Sequence, residues 1–119
     1  MGTRCLTIVK DKDDEDIVTM YRQFDGYPDG HGKELASFLD GFFITNGFKE
    51  EDKKRAKVAN TMGCLAAQLV AHFKNSNPLG NIYLFPNHTE SLDCAYTYIV
   101  RPEGNTVCIT VIPAPLMGC

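Results

Sequence analysis

KVANTMGCLAAQLVAHFK, Lys57–Lys74, carries the clearest apolar period in the chain. Val58, Met62, Leu65, Ala66, Leu69, Val70 and Phe73 fall on one stripe of a 3.6-residue repeat, which predicts an amphipathic helix buried along one face. Gly63, Cys64, Ala67 and Ala71 form a second face of small residues, on which a sheet or another subunit can approach closely. KNSNPLG follows, and Pro78 and Gly80 stop the helix.

Upstream, TRCLTIVK (3–10) and DIVTMYRQ (16–23) alternate or are β-branched, with the charged run DKDDED between them. They read as a hairpin. A helix from His31 to Thr45 is expected next, since Leu35, Phe38, Leu39, Phe42 and Phe43 keep helical spacing. Downstream, NIYLFP (81–86), LDCAYTYIV (92–100) and TVCITVIP (106–113) read as strands, with NHTES and RPEGN as their turns. TVCITVIP is apolar on both faces and is expected to lie centrally in the sheet or to be covered on both sides. The expected fold is α+β: an antiparallel sheet of about five strands, in the order β-β-α-α-β-β-β, with two helices packed on one face of a single domain spanning 1–119.

The chain has 119 residues and a net charge of −3, which argues against generic nucleic-acid binding but leaves room for a local anion pocket. No apolar run reaches the roughly 18 residues a bilayer span needs, and the N-terminal stretch turns charged by Lys10. The expected location is the cytoplasm. The five cysteines are widely spaced and odd in number, so they read as buried free thiols. Neither cofactor nor metal is expected; a cation at Asp25, Asp29 and His31, joined by His88 or Asp93, is the weaker alternative.

MYRQFDGYPDGHGKEL (20–35) is richer in chemistry than a connector requires. Gly26, Gly30 and Gly32 can leave amides unobstructed just before a helix, where an anion is favoured. Arg22 can grip a phosphate or carboxylate, the Tyr27 ring can stack on a base, and Asp25 and His31 can bond polar edges. Phe85, Asn87 and Arg101, near other strand ends, complete the candidate ligand site. The plain reading stays open beside it: an arginine paired across the turn with Asp25 or Asp29, aromatic core residues, and glycines serving tight turns alone.

MGTR at 1–4 together with MYRQFDGYPDGHGKEL resembles a set of small proteins of tailed phages and other viruses, over most of the chain. The chain is also similar to the Thoeris anti-defense sponges, oligomers that capture cyclic ADP-ribose signals or cyclic oligonucleotides without cleaving them. That resemblance implies a homo-oligomeric phage protein of the host cytoplasm that sequesters a small nucleotide-derived ligand and antagonises immune signalling. Arg22 is the residue carried across; Arg101, Phe85 and Asn87 follow by residue type and location. Two other readings stand beside it: a phosphodiesterase or ring nuclease using His31 with Arg22, and a protein inhibitor of a host enzyme.

Overall fold

The computed structural model describes residues 2–89 and 94–114. β1 (Cys5–Lys10) and β2 (Asp16–Arg22) form the expected hairpin. The loop after β2 closes in a π-helical turn, Pro28–Gly32, which runs into α1 (Lys33–Leu39). β3 (Phe43–Thr45) follows, then a single 3-10 turn (Glu50–Lys54), β4 (Val58–Asn60) and α2 (Thr61–Ser76). β5 (Ile82–Phe85), β6 (Tyr96–Glu103) and β7 (Thr106–Pro113) complete the order. The expected α+β fold with a five-stranded sheet is what the chain forms, and the strands lie in the order β5-β2-β1-β6-β7.

Register explains which side is buried. Cys5, Thr7 and Val9 of β1 stand opposite Arg22, Met20 and Val18 of β2, and opposite Tyr96, Tyr98 and Val100 of β6. Both helices pack on this face: Leu35 and Leu39 of α1 and Met62, Leu65, Ala66, Leu69 and Phe73 of α2 join Cys5, Val9, Met20, Tyr98 and Val100 in one core. The apolar stripe of α2 is therefore the buried one. Its small-residue face is not covered: Gly63, Ala67 and Ala71 are exposed and Cys64 is half-buried.

Four local expectations change. The sheet is mixed, because β1 and β6 run parallel. β5 sits at the far edge beside β2, so the chain crosses the sheet between β5 and β6 instead of turning back at NHTES. The first helix stops at Leu39, with Asp40 extended and Gly41 at φ +83°, and Phe43–Thr45 pairs in parallel with Val58–Asn60. That pairing also removes Lys57–Asn60 from the second helix. Lys57 instead donates from Nζ to the carbonyls of Ser37, Phe38 and Asp40, closing the end of α1. Finally, β7 is an edge strand and not a central one. Leu92 and Asp93, read as strand, and the tail from Pro115 lie outside the described residues.

Candidate functional site

The glycine-rich loop is held from within. Gly26 donates its N–H to the carbonyl of Thr3 at 2.8 Å and accepts from the Tyr98 hydroxyl at 2.7 Å. His31 donates its backbone N–H to the carbonyl of Asp25 at 2.8 Å. A Cβ on Gly26 would sit 2.8 Å from both the Cys5 Cβ and the Thr3 carbonyl oxygen, and one on Gly30 would sit 2.5 Å from the Asp25 oxygen. These two glycines are thus required by close approach to backbone. Gly26→Ala is expected to destabilise the protein by about 2 kcal/mol, read from chemical denaturation; an unchanged midpoint would mean the loop can lift off β1 freely.

Arg22 is 5% exposed. Its guanidinium pairs with Glu34, bonds the carbonyl of Phe24 through Nε at 2.6 Å, and lies 3.3 Å from His31 Nδ1 through Nη1. It pairs with neither Asp25 nor Asp29. Arginine has no acceptor, so His31 Nδ1 must accept. The imidazole proton then sits on Nε2 and is donated to Thr7 Oγ1 at 2.6 Å. Burial, with the Arg22 charge second, pushes the His31 pKa down to about 3, so the ring is neutral at physiological pH. Its ring packs between Phe73 and Tyr98, at 4.9 and 5.0 Å. Cys5 lies in the same layer, its thiol pushed up to about 12 by burial. Cys94 is likewise buried, whereas Cys64 and Cys108 are half-buried.

The other predicted ligand residues do not gather around Arg22. Tyr27 is exposed, and its hydroxyl reaches Asp25 Oδ1 at 3.3 Å. Phe85 stacks on Tyr21 at 4.9 Å. Asn87 is consumed by the sheet: its Oδ1 accepts from Thr19 Oγ1, and its Nδ2 donates to the carbonyls of Asp16 and Ile17. Arg101 follows Val100, the partner of Val9, whereas Arg22 is opposite Cys5. The two arginines therefore stand at opposite ends of the sheet, on opposite faces, and cannot hold the same small molecule.

Arg101 borders a cleft at that other end. A cavity of about 450 Å³ is walled by the β1–β2 turn (Asp11, Lys12), the end of β3 (Thr45, Asn46), the first turn of α2 (Thr61, Met62, Gly63) and the β6–β7 turn (Gly104, Asn105). A second cavity of about 240 Å³ shares Asp11, Lys12, Pro102 and Gly104 with it and adds Asp14 and Arg101. Arg101 Nε bonds Asp14 Oδ1 at 3.0 Å, and that bond holds the Asp14 carboxyl below its ordinary pKa. Asp11 Oδ1 is turned inward, accepting from the backbone N–H groups of Asp13 and Glu15.

The start of α2 is unusual on three counts. Asn60, at the cap position, makes no cap bond; its Oδ1 accepts from the Gly47 N–H at 2.9 Å instead. The first turn holds no acidic residue. Thr61 has φ +70°, a conformation that costs a β-branched residue about 1–3 kcal/mol. Gly63 faces open space, with nothing within 4 Å of an added Cβ. Reading the helix from Lys57 hid this turn. The pair Asn60-Thr61, both cap-type residues, was the signal that the helix begins there and that Gly63 lies in its first turn.

Among the described residues no His, Cys, Asp or Glu group is arranged to hold a metal ion, and no helix is long and apolar enough to cross a membrane. No family model matches the chain, and neither a curated protein nor a solved structure does.

Proposed function

We propose that the protein binds and sequesters a small anionic, nucleotide-derived signalling molecule of the cyclic ADP-ribose or cyclic oligonucleotide type, antagonising host immune signalling as the resemblance to the anti-defense sponges implies. The observation that carries this reading is the pair of adjoining cavities around Lys12 and Arg101. The larger is of the size small-molecule sites have. Its walls match the parts of such a ligand. Phosphate suits the uncapped amides of Thr61–Gly63 and the Lys12 cation of the larger cavity, and a further anionic group suits Arg101, which lines the smaller cavity with Lys12. Ribose hydroxyls suit the carboxylate of Asp13, and a flat base suits the apolar wall of Ile17, Ile44, Met62 and Pro102. In this reading Arg101 keeps its ligand role, and Arg22, Asp25, His31 and Asn87 serve the scaffold. The cleavage alternative is disfavoured at His31, whose two ring nitrogens are both engaged inside the protein.

Gly63→Ala tests the site with two signals of opposite sign. Alanine is the better helix former and meets no neighbour, so the variant should gain about 0.5–1 kcal/mol in stability. The added methyl crowds the amides, so the thermal shift given by cyclic ADP-ribose or a cyclic dinucleotide should shrink. A ligand at 100 times its Kd adds about 2.7 kcal/mol to the wild type. Heat release of the bound molecule then separates capture from cleavage: intact ligand supports a sponge, a linear product a phosphodiesterase. Failure of every such ligand to shift the wild type sinks the reading.

A further inference from the structure

We infer that Asn46-Gly47, on the wall of the larger cavity, is a site at which the folded protein modifies itself: the Asn46 side-chain amide is hydrolysed through a cyclic imide and leaves a carboxylate in the cleft. The chemistry needs no co-reactant but water. The Gly47 backbone nitrogen attacks Asn46 Cγ. The N–Cγ bond forms, the Cγ–Nδ2 bond breaks, and the Gly47 amide proton departs with Nδ2 as ammonia. Water then opens the ring at Cγ, giving aspartate, or at the main-chain carbonyl, giving isoaspartate with the chain rerouted through Cγ.

The local structure favours this asparagine. Attack is hindered chiefly by the side chain of the following residue, and Gly47 has none; nothing lies within 4 Å of where its Cβ would stand. Asn46 and Gly47 are both exposed and form a bend after β3, so neither a helix nor a strand ladder holds the nitrogen away from Cγ. The Asn46 side chain bonds to no other described residue, so it is free to turn back on the main chain. The other asparagines lack this combination. Asn77 precedes Pro78, whose nitrogen carries no hydrogen. Asn81, Asn87 and Asn105 have their side-chain amides bonded, and each precedes a residue with a side chain. Asn75 lies inside α2.

Asn60 restrains the reaction. Its Oδ1 accepts from the Gly47 N–H at 2.9 Å, and the nitrogen must leave that bond before it can lose its proton. Opening of an exposed loop therefore sets the rate in the folded protein.

The product changes the cleft. Asn46 shares the cavity with the first turn of α2, which has neither an acidic residue nor a side-chain cap. The new carboxylate adds a negative charge to a chain that already carries −3, and the same helix end that favours a bound anion favours it. It therefore competes with an anionic ligand. That consequence rests on the ligand reading; the modification itself does not.

Holding the folded wild type in mildly alkaline buffer, with anion exchange over time and peptide mass mapping, tests the site. A more acidic species should accumulate, with acid in place of amide in the peptide that carries Asn46, partly as isoaspartate. Asn46→Gln should not form it, because the longer side chain must close a larger and slower ring, and should keep its melting temperature. Asn60→Ala, still folded by its melting curve, should form it faster. Two results overturn the site: a folded wild type that keeps its amide while the urea-unfolded chain converts, or an acidic species that forms equally in Asn46→Gln. An unchanged rate in Asn60→Ala overturns the restraint assigned to that bond. No ligand is present in this assay, so a failure of the ligand reading leaves its outcome standing. The competition is read separately: Asn46→Asp should shrink the thermal shift given by cyclic ADP-ribose or a cyclic dinucleotide, and an undiminished shift overturns it.

Discussion

Arg22→Ala is expected to cost about 3 kcal/mol of stability and to lower Tm by roughly 10 °C. The guanidinium is buried, and its loss leaves the Phe24 carbonyl and His31 Nδ1 without their donor in a layer that already contains Thr7, Cys5 and Tyr98. The ion pair with Glu34 adds little, since that carboxylate is half exposed. Glu34→Gln should accordingly change stability by less than about 1 kcal/mol. Below its own Tm the Arg22 variant should still take up ligand, because the cleft lies at the other end of the sheet. Thermal denaturation of the two variants side by side is the measurement. An Arg22→Ala protein that melts with the wild type would show that the guanidinium does not hold the loop, and would return it to the ligand site.

The second large effect is on pH. An unfolded histidine titrates near 6.5, while His31 in the fold is pushed down to about 3 by burial. Between those values the unfolded chain binds a proton that the folded chain does not, so stability is full above pH 6.5 and falls as pH drops towards 3. The loss from this one group is about 2 kcal/mol at pH 5 and about 3 kcal/mol at pH 4. Asp14 and Asp52 act in the same direction at lower pH, since both carboxyls are held below their ordinary values, Asp14 chiefly by Arg101 and Asp52 chiefly by the Lys49 N–H. Nuclear magnetic resonance of the His31 ring separates the contributions. Its shifts should stay constant down to pH 4 while the unfolding free energy declines. A His31 resonance that titrates near 6.5 in the folded protein would refute the neutral buried ring.

The meaning of the glycine-rich loop changes once the fold is known. In sequence, three glycines, an arginine and a histidine before a helix suit an anion as well as they suit a turn. The two readings differ in where Arg22 points, and strand parity alone leaves that open until the covered face is known. With Cys5, Met20 and Tyr98 on the helix side, Arg22 must share that side and needs partners within reach; Glu34, Phe24 and His31 supply them. The glycines then follow as close-approach positions against Thr3, Cys5 and Asp25.

Local periodicity was enough to locate most of the elements, because burial of an apolar stripe or of alternate strand residues is encoded within a few turns or pairs. It gave the buried side of α2, the β1–β2 hairpin, the β6–β7 hairpin and the α+β class. Long-range pairing had no such local mark. Phe43–Thr45 is a strand because Val58–Asn60 lies beside it, β1 and β6 run parallel because the chain crosses the sheet after β5, and β7 is an edge because no described strand follows it. The cleft belongs to the same category. Its walls come from β1–β2, β3, α2 and β6–β7, segments separated by tens of residues, and only the closing of the sheet brings Lys12, Gly63 and Arg101 to one end of the protein.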